Sequence, residues 1–123
     1  MFKRCKKCGA IVEVVKDCTC DKCGIICCGE KMDNITVNSV EASVEKHKPV
    51  VTQVENKVNV VVGSVLHPMT KEHLIEMIFV KTNLGVYKRI LNENQNPSFT
   101  LMLADGERVE KVFAYCNLHG LWE

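Results

Sequence analysis

The sequence predicts a mainly β protein that consists of a small cysteine-rich N-terminal module and a larger antiparallel β-sandwich. Seven of the eight cysteines lie within the first 28 residues, whereas all four histidines lie between residues 47 and 119. Beyond residue 49, short runs of β-branched and aromatic residues alternate with turn signals and show no helical period. We therefore expect two domains, residues 1–36 and 37–123, with a connector around "MDNITVNSVEAS".

The expected strands of the larger domain follow one another at short intervals. "VVTQV" and "VNVVVGS" flank "ENK", a hairpin signal, and Val58, Val60 and Val62 are expected in the core. "EHLIEMIFVKT" also fits a buried helix, but its β-branched and aromatic residues favour a strand that reaches the turn "NLG" before "VYKRIL". "SFTLMLA" and "RVEKVFAY" flank Asp105 and Gly106, a pair of the kind that closes hairpins. This spacing is typical of an antiparallel sandwich.

Composition and charge exclude several classes of protein. Hydrophobic residues make up 46% of the 123 residues, and the net charge of +1 argues against a dedicated nucleic-acid binder. No apolar run is long enough to span a bilayer, and "MFKRCKKCGA" has no signal-peptide core, so no membrane partner is expected. We expect a cytoplasmic protein. In that reducing compartment, clustered cysteines bind metals more often than they form disulfides.

The histidines indicate a metal site. "EKHKP", "HPMTKEH" and "CNLHG" place His47, His67, His73 and His119 mostly beside Pro or Gly, in expected loops at strand ends. A single loop histidine is usually solvated, but four of them with the isolated Cys116 form a donor set. Five donors exceed a closed zinc site and do not fit blue copper. They suit a six-coordinate metal with one open position, and iron fits best.

This donor set has a chemical analogue. Four neutral nitrogens in a plane with a thiolate below resemble the donors of thiolate-ligated haem, in which the thiolate pushes electron density toward the opposite face. Neutral imidazoles replace the dianionic porphyrin here, so ferrous iron with one thiolate keeps a net positive charge. The open position therefore favours a small anion.

The N-terminal cysteines form two further motifs. Cys5-x-x-Cys8-Gly and Cys20-x-x-Cys23-Gly are both metal-binding knuckles, so a rubredoxin-like or zinc-ribbon pairing of the two is possible. This pattern is a strong metal signal that does not separate iron from zinc. Cys20, Cys23 and Cys27 also have a spacing compatible with an iron–sulfur cluster.

The histidine motifs, in the form "EKHKP", "HPMTKEH" and "YCNLHGLW", resemble the iron-site motifs of superoxide reductases. The start, "CKKCGAIVEVV" followed by "CCGEKM", is similar to the desulforedoxin module of their two-iron form, desulfoferrodoxin. The resemblance implies an immunoglobulin-like β-sandwich with an iron held by four equatorial histidines and an axial cysteine: His47, His67, His73, His119 and Cys116. It implies a second iron in a four-cysteine site: Cys5, Cys8, Cys27 and Cys28. Cys18, Cys20 and Cys23 depart from the family pattern, so a cluster or zinc stays an alternative for this module.

The resemblance also implies a function. It predicts one-electron reduction of superoxide to hydrogen peroxide, a detoxification reaction supplied by a small donor such as rubredoxin, in a homodimer. Lys46 is expected to attract superoxide and order a proton-donating water. Glu45 is expected to take the vacated position and help product leave, with exchange allowed by a flexible loop around "VEKHK". The alternative is a non-catalytic iron-binding electron carrier.

Overall fold

The computed structural model describes all 123 residues and divides them into two compact units, Met1–Thr36 and Val37–Glu123. The N-terminal unit is built from five short strands. They are β1 Phe2–Arg4, β2 Ile11–Glu13, β3 Ile26–Cys27, β4 Glu30–Lys31 and β5 Asp33–Asn34. Strand β1 pairs antiparallel with β2 and β5, and β3 pairs with β4 as a separate ribbon. Strand β5 lies inside the segment predicted to be a connector. This part of the segment is a strand because its backbone pairs with β1 and completes the sheet.

The C-terminal unit is an antiparallel sandwich of two sheets, as predicted. Its elements are α1 Val44–His47, β6 Pro49–Val54, β7 Lys57–Val62, β8 Ile75–Thr82, β9 Val86–Ile90, β10 Ser98–Met102, β11 Val109–Cys116 and β12 Gly120–Trp122. One sheet has the strand order β10-β7-β6 and the other β12-β11-β8-β9. No helix in the chain combines the length and apolar character that crossing a bilayer requires.

The core lies between the two sheets. Val58, Val60 and Val62 alternate along β7 and are fully buried, which confirms the sequence prediction. They pack in one cluster with residues of β8 such as Ile75 and Ile78. Strand β8 is buried along most of its length, and this explains why its sequence shows no clear alternation and also fits a helix.

Two turns behave differently although both have turn chemistry. Val54 pairs with Lys57, so Glu55 and Asn56 close the β6–β7 hairpin with Glu55 at φ +54°. Gly106 also forms a turn, at φ +79°. Strands β10 and β11 nevertheless lie in different sheets, because β10 pairs with β7 and β11 pairs with β8. The hairpin expected around Gly106 is therefore wrong, and the turn connects the two layers.

A buried carboxylate stabilises this crossing. Glu107 accepts hydrogen bonds from the Thr82 hydroxyl at 2.6 Å, the Tyr87 hydroxyl at 3.1 Å and the Ala104 backbone N–H at 2.9 Å. These bonds, the Thr82 bond foremost, hold the pKa of Glu107 below its usual value. The carboxylate thus joins the β10–β11 turn to the β8–β9 hairpin.

The strand order brings the ends of several strands together at one end of the sandwich. The start of β6 lies beside the end of β7, where Pro49 pairs with Val62. The start of β8 lies beside the end of β11, where Ile75 pairs with Cys116. Helix α1, the β7–β8 connection and the β11–β12 turn all join strands at these ends, and these three segments carry the four histidines.

Two isoleucines on paired strands offer a test of this core. Ile78 of β8 is fully buried, whereas Ile90 of β9 is 61% exposed. Replacing Ile78 with Ala should lower the free energy of unfolding by about 2–5 kcal/mol, because the methyl groups leave a cavity. Ile90→Ala should change it by less than about 0.5 kcal/mol. Urea denaturation of the C-terminal transition measures both; equal effects would contradict the assigned layers.

Candidate metal centres

The four histidines form a ring of imidazoles. Centroids of successive rings are 4.7 Å apart for His47 and His67, 4.6 Å for His67 and His73, 5.0 Å for His73 and His119, and 4.8 Å for His119 and His47. Each ring is nearly perpendicular to the next, with interplanar angles between 79° and 84°. The sequence predicts four imidazole nitrogens around one metal, and the four imidazole rings do form a closed square.

The tautomers of two histidines leave lone pairs that face each other. His47 Nδ1 lies 2.6 Å from the Ser43 carbonyl oxygen, and His67 Nδ1 lies 2.6 Å from the Pro68 carbonyl oxygen. A carbonyl only accepts, so both Nδ1 atoms carry the hydrogen and both Nε2 atoms are bare. These two Nε2 atoms are 3.2 Å apart. Two bare nitrogens at this separation repel each other unless a cation lies between them.

The other two histidines complete the donor set. His73 Nε2 is buried and has no hydrogen-bond partner. His119 directs its Nδ1 inward, 2.9 Å from His47 Nε2. Adjacent ligands at right angles on an ion with bonds of about 2.1 Å are separated by about 3 Å. The spacings at His47 match that value, so the residues present fit a metal ion.

Cys116 supplies the sulfur donor. Its side chain is fully buried, and its Sγ lies 3.8 Å from His119 Nδ1. Burial raises the pKa of the thiol, while the backbone N–H groups of His119 and Leu118 act in the opposite direction. Both N–H groups therefore turn back toward this sulfur within the Cys-x-x-His turn. Donors from His47, His67, His73 and Cys116 all lie within 4.8 Å of one another.

Burial keeps the imidazoles neutral. Desolvation lowers the pKa of His67 to about 4 and also lowers the pKa values of His47 and His73. The Lys46 ammonium acts in the same direction on His47 and His73. Metal ions bind unprotonated imidazole, so the site holds these histidines ready for a metal at neutral pH.

Two residues outside the donor set hold it in place. Asn117 Oδ1 accepts from the Leu74 N–H at 3.1 Å, and its Nδ2 donates to the Glu72 carbonyl at 3.0 Å. Asn117 thereby ties the His73 segment to the turn that carries Cys116. Trp122 packs on His47 with ring centroids 5.0 Å apart and donates to the His119 carbonyl at 3.0 Å. The motifs of the sequence did not identify Asn117, although it lies directly after Cys116.

Helix α1 fixes the backbone of Glu45. The Glu45 carbonyl oxygen accepts hydrogen bonds from the Val65 N–H at 3.0 Å and from the Ser64 hydroxyl at 3.2 Å. Gly63 packs so closely against this carbonyl that an added Cβ would collide with it. The sequence predicts a flexible loop here, whereas the structure shows a helical turn. Glu45 and Lys46 expose their side chains beside His47.

The second donor group lies in the N-terminal unit. It consists of four sulfurs within 4.8 Å of one another: Cys5, Cys8, Cys27 and Cys28. Cys27 Sγ lies 3.6 Å from Cys8 Sγ and 3.9 Å from Cys28 Sγ. Tetrahedral ligands with metal–sulfur bonds of about 2.3 Å are separated by about 3.8 Å, so these sulfurs also fit one ion. Gly9 and Gly29, each at positive φ after a ligand pair, turn the chain back.

Within this group the pKa values of Cys5 and Cys27 are shifted in opposite directions. Backbone N–H groups of the knuckle, that of Cys8 foremost, lower the pKa of Cys5 to about 7. Hydrogen bonds with Cys8 and Cys5 raise the pKa of Cys27 to about 12. One sulfur therefore ionises readily and makes the next ionisation harder. A cation removes this conflict by binding all four thiolates.

The remaining cysteines stay outside both groups. Cys20 and Cys23 form a disulfide with each other, and Cys18 is free and exposed. The rubredoxin-like pairing of the two knuckles and the cluster that included Cys20, Cys23 and Cys27 are therefore not formed. The physical reason is the fold of the ribbon β3–β4, which brings Cys27 and Cys28, not the second knuckle, to Cys5 and Cys8.

A β-sandwich with four imidazoles and one buried thiol at one end defines a mononuclear non-haem metalloprotein. Residues 39–123 match the desulfoferrodoxin family. A desulfoferrodoxin homolog from Archaeoglobus fulgidus is 41% identical over 122 residues, which cover 98% of this chain and 92% of that protein. The desulfoferrodoxin of Syntrophotalea carbinolica is 39% identical over 119 residues, or 97% of this chain and 90% of that protein. The chain belongs to the desulfoferrodoxin family.

Solved structures give the same result for the fold. The superoxide reductase from Treponema pallidum superposes with a TM-score of 0.79 at 31% identity and covers 99% of this chain and 97% of its own. The one-iron superoxide reductase from Giardia intestinalis has a TM-score of 0.53 at 29% identity and covers 63% of this chain and 93% of its own. The match over nearly the whole chain includes the cysteine-rich unit.

Asn117 allows a test of how the donor set is held. Asn117→Ala should weaken metal binding at the histidine site about 10–100-fold, because the His73 segment loses its tie to the Cys116 turn. Competition with a chelator, followed at the thiolate-to-metal absorption band, measures the affinity. Asn56→Ala is the matched control, because Asn56 bonds Asp105 at the opposite end of the sandwich. Equal affinities in all three proteins would contradict the positioning role.

The protonated thiol gives metal uptake a defined pH dependence. Burial raises the pKa of Cys116, so a metal must displace its proton at neutral pH. The apparent affinity for Co²⁺ should therefore rise more steeply with pH in the native protein than in Cys116→Ser. The difference in slope should be about tenfold per pH unit between about pH 7 and 9. Chelator competition at several pH values gives both slopes. Parallel slopes would show that the Cys116 thiol is not displaced.

Proposed function

We propose that this protein is a superoxide reductase that reduces superoxide to hydrogen peroxide at iron in the histidine site. The observation that carries the proposal is the ring of four neutral imidazoles over one buried thiol, which provides five donors on two sides of an ion. Ferrous iron, when bound, supplies the electron. Solved superoxide reductases superpose on the chain, which supports the proposal.

The ligands in this proposal are the residues that the resemblance implied. His47, His67, His73 and His119 would hold the iron through their imidazole nitrogens, and Cys116 would supply the sulfur ligand. As a thiolate, Cys116 would donate electron density to the bound metal. The N–H groups of Leu118 and His119 moderate that donation, because hydrogen bonds to a ligand sulfur draw charge away from the metal.

Lys46 and Glu45 are the residues that we assign to substrate and product. Lys46 is exposed beside His47, and its positive charge adds a minor contribution, after desolvation, to the lowered pKa values of His47 and His73. Superoxide is an anion, so this charge raises its rate of encounter. Lys46 would also order a water that donates the proton, and the Glu45 carboxylate would help the product leave.

We propose reduction rather than dismutation. Dismutation requires the oxidised site to bind and oxidise a second superoxide, and a carboxylate from Glu45 at that position obstructs it. The two reactions differ in product: reduction forms one peroxide per superoxide, whereas dismutation forms one for every two. The rival function of a non-catalytic electron carrier predicts no fast reaction with superoxide at all.

We assign a second iron to the cysteine site, with Cys5, Cys8, Cys27 and Cys28 as ligands. Four thiolates in rigid knuckles change geometry little when the metal changes charge, which suits electron transfer. In this proposal, a rubredoxin-like protein supplies the electrons, the chain works as a homodimer in the cytoplasm, and it protects against oxidative stress. The clustered cysteines support a reducing compartment.

The steering role of Lys46 can be measured directly. Lys46→Ala should slow the bimolecular reaction with superoxide by about tenfold or more at low salt and should flatten its dependence on ionic strength. Pulse radiolysis of the reduced, iron-loaded protein gives both quantities. Lys57→Ala is the control, because Lys57 lies at the far end of β7 and should leave the rate unchanged. An unaltered salt slope in Lys46→Ala would remove the steering role.

A further inference from the structure

The segment "KDCTCDKC", residues 16–23, carries three thiols that the proposed iron sites do not use. The structure joins Cys20 and Cys23 in a disulfide and leaves Cys18 free. The segment lies in the N-terminal unit, and residues 16 through 22 are all exposed. Disulfides in proteins of reducing compartments are mostly transient, either catalytic or redox-sensing.

We propose that Cys20 and Cys23 form a reversible dithiol–disulfide couple, which hydrogen peroxide oxidises and an external dithiol reduces. The couple is a third redox site of the chain and contains no metal. The proposal rests on the proposed function for the source of the peroxide, which is the product of the iron site, and for the reducing compartment. It assigns a role to the second knuckle, which the metal sites leave without one.

The backbone holds the two cysteines at bonding distance. Their Cα atoms are 5.6 Å apart, within the range that a disulfide spans without backbone movement. The Cys23 N–H donates to the Cys20 carbonyl at 3.4 Å, which closes the turn between them. This turn is a local structure and does not depend on the sulfur–sulfur bond. The reduced pair is therefore already placed for ring closure.

Access favours reaction at Cys20, and a positive charge lies beside the turn that carries both cysteines. Cys20 is exposed, whereas Cys23 is half-buried, so an external reagent meets the Cys20 sulfur first. Lys31 donates from Nζ to the Lys22 carbonyl at 3.2 Å and to the Cys23 carbonyl at 3.5 Å. Its ammonium group is thus anchored beside the turn. A positive charge near a thiol favours the thiolate, which is the reactive form.

The chemistry balances without a metal. The Cys20 thiolate attacks one oxygen of hydrogen peroxide, the O–O bond breaks, hydroxide leaves and a sulfenic acid forms. The Cys23 thiol then attacks that sulfur, the S–S bond forms and water leaves. Two thiols and one peroxide thus give one disulfide and two waters. A dithiol reductant returns two electrons and two protons by exchange and is itself left as a disulfide.

Trypsin can report this bond, because Lys22 lies between the two cysteines. The full iron-loaded chain is reduced, freed of reductant and treated with one equivalent of added hydrogen peroxide. Remaining thiols are alkylated in denaturant, and the chain is digested without reduction. The peptides 17–22 and 23–31 should appear as one linked species in mass spectrometry. A dithiol reductant should separate them.

Matched variants identify the sulfurs and exclude a metal site. The linked species should persist in Cys18→Ser and disappear in Cys20→Ser and Cys23→Ser, while the iron content per chain stays unchanged in all three. Peptides that remain separate after peroxide would overturn the proposal, as would a link that needs Cys18. Loss of metal in Cys20→Ser would instead make the segment a metal site. Because peroxide is added directly, a chain that fails to reduce superoxide can still pass this test.

Discussion

The site depends on one electrostatic constraint, which is that bare imidazole nitrogens face each other in a buried space. The carbonyls of Ser43 and Pro68 fix the tautomers of His47 and His67, so their Nε2 lone pairs point at each other across 3.2 Å. Burial prevents these rings from taking up protons to relieve the repulsion, since it lowers the pKa of His67 to about 4. A metal ion is the remaining way to satisfy the nitrogens.

The sandwich creates this constraint through its strand order. His47 precedes β6, His67 and His73 lie on the connection between the sheets, and Cys116 ends β11. Antiparallel pairing places these points at the same end, although His47 and Cys116 are far apart in sequence. Asn117 then fixes the distance between two of the segments. Rigid strands thus hold donors that are all placed on short irregular segments.

Residue type and local spacing allowed much of this to be predicted from the sequence. Turn pairs and alternating valines predicted the strands, and the five donors could be chosen because His and Cys in such number have few other uses. The crossing at Gly106 could not be predicted, because the same turn chemistry serves a hairpin and a change of sheet. Asn117 was missed for a similar reason: an amide in a loop acquires meaning only when the carbonyl and N–H that it bridges, at Glu72 and Leu74, are known.

The two units rely on their metals to different degrees. The sandwich has a core of valines and isoleucines that needs no ion, and its metal site is an addition at one end. The N-terminal unit buries few apolar side chains, chiefly Phe2 and Met32, and of its four ligand cysteines only Cys5 is buried. Domains of about 40 residues or fewer usually need a metal or a disulfide to fold. Binding energy at Cys5, Cys8, Cys27 and Cys28 is therefore largely folding energy, whereas at the histidine site it remains available for chemistry.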